Sequence, residues 1–208
     1  VTAEDRERAT PRMVQQRRTE LLAGRALLRH ALAAYTGRDA STFRLVVDAN
    51  GKPECVGGPA VSVSHSGGIV ACAAAEAAVG VDVETRPPRD AEMLAARYFT
   101  AAEAAWIAAD PAARFLELWV LKEAYLKAAG LGLAGGLDSL ECRIEPPHIE
   151  ARLAGGAPPE LALLAGPGFF MGVAALAPQG PMELMLHPFA APDELGEARP
   201  ALELVATT

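Results

Sequence analysis

Trp119 to Lys127 reads WVLKEAYLK and sits inside a longer apolar pattern of helical period. Phe115, Leu118, Tyr125 and Ala128 form a stripe that should face a core. Glu123 and Lys127 are four residues apart, so a helix stacks them on one face, with Trp119 one turn earlier. A carboxylate and an ammonium side by side, next to an indole, can work on a phosphate. The same pair is also the usual form of a solvated ion pair, worth about 0.2–0.5 kcal/mol to a helix. The spacing alone leaves both readings open.

Working outward, Gly130, Gly132, Gly135 and Gly136 end this helix, which should span about 111–129. Two helices are predicted before it, over about 91–98 and 101–109. Thr100 and Glu103 have the spacing of a capping box at the start of the second. The Pro-rich stretch Thr85 to Asp90 separates these helices from Val79 to Glu84, VGVDVE, which reads as a strand. Further upstream, 60–64 and 69–75 read as a hairpin turning through His65-Ser66-Gly67-Gly68, and 43–48 as another strand. In the turn 49–53, Asn50-Gly51 supplies positive φ and Pro53 should stop regular structure. A first helix is predicted over about 15–35, with Leu21, Leu28, Leu32 and Tyr35 as its stripe and Gly37 as C-cap. Arg25 and Arg29 lie beside that stripe, and mixed charges there read as a solvated face, with ligand binding as the alternative. Strand candidates after the long helix are 140–145, 161–165, 169–175 and 182–187. The tail from Pro188 is rich in Pro, Ala and Glu and carries no assigned element.

The resulting fold class is α+β. Gly68 to Ala74 faintly echoes Phe169 to Ala175, as two similar halves about a pseudo-two-fold axis would, although Ala-rich strands also resemble one another by chance. The division falls at 1–78 and 79–208, with a cleft expected between the halves.

Composition narrows the function. With 51% hydrophobic and 22% charged residues, the 208-residue chain is globular rather than disordered. No apolar run approaches the roughly 20 residues that span a bilayer. The start, VTAEDRERATPR, lacks the apolar region of a signal peptide. Cys55, Cys72 and Cys142 form no CxxC pair, so neither a zinc site nor a disulfide framework is expected, and a cytoplasmic setting follows. A net charge of −7 argues against nucleic acid as the partner.

Asp82 and Glu84 stand at i and i+2 on a strand, so both carboxylates point to one face. Burial would worsen their repulsion, and a divalent cation would relieve it. Mg²⁺ suits such a site, taking one or two carboxylates and filling its octahedron with phosphate oxygens and water. A strand end in solvent is the plainer explanation. Ser64-His65-Ser66 places a histidine between hydroxyls, and Lys52 sits on the rigid turn Gly51-Lys52-Pro53; either can meet a phosphate.

Taken in order, GKP (51–53), VSHS (63–66), VGVDVE (79–84), FTAAE (99–103) and WVLKEAYLK (119–127) followed by GLGL form a series that resembles the Sfp-type 4′-phosphopantetheinyl transferases. The resemblance runs from about Glu4 to His187. It implies a fold of two similar halves, with coenzyme A and Mg²⁺ in the cleft between them. It also implies transfer of the 4′-phosphopantetheine arm to a serine of an acyl or peptidyl carrier protein, with release of 3′,5′-ADP. Asp82, Glu84 and Glu123 are implied as metal ligands, Glu123 and Lys127 as catalytic, and Glu103 as a further catalytic candidate, for which the capping box competes. Lys52, Pro53, Ser64, His65, Lys127 and Arg8 are implied coenzyme A contacts, Arg8 at the 3′-phosphate; Arg6, Arg17 and Arg18 are basic neighbours without a clean match. Apo carrier domains are the implied protein partner, met at Thr85 to Asp90 and the helices after it, and a monomer is expected. The family pattern departs in two places. An N-terminal stretch with a strand is expected before Val1, and an arginine of some relatives is replaced by Val47 or Asp48. A metal-dependent pyrophosphate hydrolase and a binding module without transfer are the alternatives.

Overall fold

The structure, a computed structural model, describes residues 1–10, 13–48, 51–132, 135–178, 180, 182–186 and 202–208. Its main helix forms where the periodicity places it. Helix α5 (Pro111–Ala129) opens with Asp110, whose side chain accepts the Ala113 N–H, and with Pro111, which has no N–H to leave unsatisfied. It closes at Gly130, in the left-handed region at φ 70°, where the cap N–H reaches the Leu126 and Lys127 carbonyls. The helix is buried on more than one side. Phe115, Leu118, Leu121 and Ala124 belong to the largest apolar cluster, together with Ala95 of α3 (Ala91–Tyr98) and Ile107 of α4 (Ala101–Ile107).

Beneath α5 lies a six-stranded sheet. Its strands are β5 (Ala78–Glu84), β6 (Leu140–Glu145), β7 (His148–Leu153), β8 (Glu160–Gly166), β9 (Phe169–Leu176) and β10 (Glu203–Thr207), in the order β5-β9-β8-β10-β7-β6. Strand β5 pairs antiparallel with β9, setting Asp82 opposite Gly172. Strand β10 runs antiparallel to β8 and parallel to β7, tying the β6–β7 hairpin to the rest.

In the first half, helix α2 (Gln15–Thr36) packs on the hairpin β3 (Ala60–Ser66) and β4 (Ile69–Ala75). Gly67 and Gly68, at φ 56° and 88°, form its two-residue turn; both central positions need positive φ if the turn is to follow the twist of the strands. Two short strands, β1 (Leu45–Val47) and β2 (Pro53–Cys55), pair antiparallel, and α1 (Ala3–Arg8) precedes α2.

The α+β reading holds. Helix α2 ends at Gly37 in the left-handed region, as expected. Four local expectations do not hold. Pro53 opens β2 instead of stopping regular structure; as the first residue of an edge strand it loses no ladder bond from an interior position. Strand β3 runs on through His65 and Ser66, so only Gly67 and Gly68 turn. Arg25 and Arg29 are buried, not solvated. Residues 182–186 form no strand, and His187 and the tail 188–201 lie outside the described residues, as do Arg12 and Asn50. Elements α1, β7 and β10 were not foreseen. Among the described residues no helix is long and apolar enough to cross a membrane.

Two glycines decide how close α5 comes to the sheet. A methyl group on Gly80 would fall on the Ala124 carbonyl, and one on Gly172 on the Val120 carbonyl, both backbone atoms of α5. Helix and strands therefore touch backbone to backbone, and a side chain could be admitted only by moving an entire element. Gly172→Ala is expected to destabilise the fold by about 1–3 kcal/mol or more, as overpacking of a rigid interior does. Chemical denaturation of the variant against wild type measures this, and unchanged stability would show that the helix can shift freely.

Candidate active site

The acidic end of β5 lies under the last turns of α5. Strand alternation turns Val81 and Val83 into the apolar layer and Asp82 and Glu84 to the opposite face. Asp82 is only 4% exposed, so its charge needs partners. Its Oδ1 accepts from Lys127 Nζ at 2.6 Å and from Ser64 Oγ at 2.7 Å. Its Oδ2 is buried with no hydrogen-bond partner among the described residues, and so is Oε1 of Glu123. Lys127 also donates to the Val81 carbonyl at 3.2 Å, which pins the ammonium over β5.

Strand β3 meets β5 here without a backbone ladder; serine side chains make the seam. Ser62 Oγ accepts the Val81 N–H at 3.1 Å, Ser64 donates to Asp82, and Ser66 donates to Glu84 Oε2 at 2.7 Å. Ser66 Oγ also accepts the Thr85 N–H at 3.3 Å. Three hydroxyls at i, i+2 and i+4 thus hold β5 from one side, Ser62 through its backbone and Ser64 and Ser66 through its carboxylates. Sequence reading singled out Ser64 and missed Ser62, although the alternation in AVSVSHS (60–66) carries the signal.

Burial and crowding raise the proton affinity of Glu84 and Glu123. Burial pushes the Glu84 carboxyl up; the Ser66 hydrogen bond opposes this, the Asp82 charge adds to it, and the net is above the ordinary value. Burial pushes Glu123 up as well, with the charge of Asp82 adding and that of Lys127 opposing. Three carboxylates and one ammonium therefore share a poorly hydrated corner with an excess of negative charge. Among the described residues no three His, Cys, Asp or Glu side chains close into a ligand set. Lys127 fills part of the space. Even so, two orphaned buried carboxylate oxygens in an all-oxygen donor set fit a hard divalent cation.

This corner opens into a cleft of about 610 Å³ between α2, β3 and the β1–β2 turn on one side and β5 and α5 on the other. Lys52, Pro53, Ser64, His65, Asp82, Glu84 and Lys127 all line it, as does Arg17. Lys52 Nζ donates to the Ala128 carbonyl at 3.3 Å, bridging the β1–β2 turn to the end of α5. His65 Nδ1 stands 3.2 Å from Glu20 Oε2.

Three expected site residues lie apart from this lining. Glu123, half-buried on α5 next to the charges of Asp82 and Lys127, is not part of the lining. Arg8 is exposed on the last turn of α1, outside the cleft wall. Glu103 is not brought to the cleft either. Its Oε2 accepts the Thr100 N–H at 2.9 Å, completing the capping box, and its Oε1 accepts from the Cys142 N–H and from Lys122 Nζ, both at 2.8 Å. Lys122, 0% exposed, also donates to the Leu137 and Leu140 carbonyls and lies 5.1 Å from the Phe99 ring centre. The pair anchors α4, α5 and β6 to one another. Trp119 stacks on Phe115 at 5.4 Å between ring centres, so its indole serves packing.

Comparison with known proteins agrees with this architecture. A family profile described as "4'-phosphopantetheinyl transferase superfamily" matches residues 78–162, and one described as "4'-phosphopantetheinyl transferase N-terminal domain" matches residues 5–75. A Bacillus pumilus protein named "4'-phosphopantetheinyl transferase psf-1" is 34% identical over 138 residues, covering 64% of this chain and 58% of that protein. A Bacillus subtilis "4'-phosphopantetheinyl transferase" is 31% identical over 166 residues, covering 76% of this chain and 74% of its own length. The "4'-phosphopantetheinyl transferase Sfp" of Bacillus subtilis strain 168 is 29% identical over 174 residues, covering 79% and 77%. The chain belongs to the 4′-phosphopantetheinyl transferase superfamily, in its Sfp-type branch.

Two measurements probe the corner and its support. Glu103→Ala leaves Lys122 as an uncompensated buried charge and is expected to cost about 3–5 kcal/mol of stability; a denaturation midpoint near wild type would contradict this. Glu123→Gln removes one of three crowded negative charges. The variant should melt at or above wild type in EDTA and should lose any melting shift that Mg²⁺ gives the wild-type protein. Thermal melts with and without Mg²⁺ read both effects.

Proposed function

We propose that this protein transfers the 4′-phosphopantetheine arm of coenzyme A to a serine hydroxyl of an acyl or peptidyl carrier protein, releasing 3′,5′-ADP and acting as a monomer. The observation that carries the reading is the Asp82 corner. A buried carboxylate is held by Ser64 and Lys127, keeps a second oxygen without a partner, and has Glu84 and Glu123 as like-charged neighbours. The family supplies the class of reaction, and the cleft supplies room for an extended nucleotide ligand.

In this reading Asp82, Glu84 and Glu123 hold Mg²⁺. The cation would neutralise charge on the pyrophosphate and polarise the attacked phosphorus. The chain's own groups do the rest. Glu123, whose proton affinity burial raises, accepts the proton of the carrier serine. The serine oxygen bonds to phosphorus as the bond to the ADP phosphate breaks. Lys127 uses two of its three N–H donors on Val81 and Asp82, and turns the third toward the departing phosphate. Lys52, Pro53, Ser64 and His65 orient the nucleotide along the first-half wall. The first half, 1–78, then carries nucleotide contacts, and the second, 79–208, carries the acids. The exposed stretch from Thr85 and helix α3 is the surface offered to the carrier domain.

Incubation of an apo carrier domain with the protein, coenzyme A and Mg²⁺ is expected to add the mass of one phosphopantetheine arm, detected by intact-mass spectrometry. EDTA should abolish the gain, and Asp82→Ala should slow it at least about 100-fold, in keeping with loss of a charge-positioning group in a preorganised site. Release of ADP at the same rate without any carrier would point instead to hydrolysis.

A further inference from the structure

The end of β5 offers two carboxylates to the cleft, and each arrives with one oxygen already engaged. Asp82 Oδ1 accepts from Ser64 Oγ and from Lys127 Nζ, while its Oδ2 is buried without a partner among the described residues. Glu84 Oε2 accepts from Ser66 Oγ at 2.7 Å. Each acid is left with one oxygen to offer, Oδ2 on Asp82 and Oε1 on Glu84. The hydroxyls come from the first half: Ser64 and Ser66 share one face of β3, as Asp82 and Glu84 share one face of β5.

Ser66 is held from several sides. A hydroxyl has one proton to give and two lone pairs to receive with. Its proton goes to Glu84, its oxygen accepts the Thr85 N–H at 3.3 Å, and Thr85 Oγ1 lies 3.3 Å away. Since the Ser66 proton is committed, Thr85 is the donor in that last contact. The turn behind is closely packed as well, because a methyl group on Gly67 would fall on the Thr85 side chain. Glu84, Thr85 and the β3–β4 turn therefore form one packed unit. Glu84 cannot bring Oε2 to a ligand without breaking its bond to Ser66.

We infer that Ser66 is a positioning residue that holds Oε2 of Glu84, confines this acid to a single coordinating oxygen, and so makes the corner select Mg²⁺ over Ca²⁺. The inference rests on the Mg²⁺ reading above. Mg²⁺ demands an octahedron and keeps several waters, so one oxygen from each acid suits it. Ca²⁺ takes more oxygens at longer range, and readily both oxygens of one carboxylate. Ser64 restrains Asp82 in the same way, but there Lys127 shares the task. On Glu84 the restraint is the Ser66 hydroxyl, and its removal frees the carboxylate to chelate.

Thermal melts test this, with Mg²⁺ or Ca²⁺ titrated into EDTA-stripped protein in the presence and absence of coenzyme A; the melting shifts give the two affinities. Wild type should prefer Mg²⁺. Ser66→Ala should lower Mg²⁺ affinity about tenfold, as loss of a group that orients a metal ligand does, and Ca²⁺ affinity less than about twofold. Ser66→Thr retains the hydroxyl and should restore the wild-type preference to within about twofold. Ser66→Cys, a weaker donor, should move the preference in the same direction as alanine and serves in its place if that variant fails to fold. A merely structural role would weaken both cations alike. That result, an unchanged preference, or a wild type that prefers Ca²⁺ would overturn the assignment. If neither cation shifts the wild-type melt under either condition, the Mg²⁺ reading itself falls.

Discussion

Helix α5 lies directly against the backbones of β5 and β9 because Gly80 and Gly172 present no side chain to it. That contact sets the reach of everything at the cleft. It lets Lys127, a flexible side chain, span from α5 to both the Val81 carbonyl and the Asp82 carboxylate. It also carries Glu123 into the same corner, where burial, with the charge of Asp82 adding to it, raises its proton affinity. A helix one side chain further out would leave the acids on β5 facing water, and their mutual repulsion would then be screened and of little consequence.

Around this contact the molecule supports the corner from two directions. From the first half, the hydroxyls of Ser62, Ser64 and Ser66 join β3 to β5 where no backbone ladder does. From the far side, the buried Lys122–Glu103 pair fixes α5 against α4 and β6. Neighbouring positions on α5 thus have different work: Lys122 faces inward as an anchor, and Glu123 and Lys127 face the cleft end. The two halves meet through the β3 hydroxyls and through an apolar cluster in which Ala71 of β4 packs with Val79, Val81 and Val83 of β5, and along the polar part of the seam a charged ligand can be held by both.

Much of the architecture was legible locally. The periodicity of 111–129, the cap residues Asp110 and Gly130, and the alternation in 78–84 each follow from neighbours a few residues away, and the structure keeps them. Strand β10 was not legible, because five residues at the end of a Pro- and Ala-rich tail become a strand only when β7 and β8 offer open edges. Pro53 misled for the same reason: its effect on a strand depends on whether the strand is an edge.

The sequence by itself determined which residue types share a face: Asp82 with Glu84, Glu123 with Lys127, and the three serines of β3. It also determined, through the order of its motifs, the family to which the chain belongs. Only the tertiary structure decided which of these faces meet, that Glu103 spends its carboxylate on Lys122, and that Arg25 and Arg29 are covered rather than solvated. The physical reason is that helical and strand periodicities are properties of a few adjacent residues. Burial and charge pairing instead arise between groups such as Lys127 and Asp82, 45 positions apart, whose encounter no local pattern encodes.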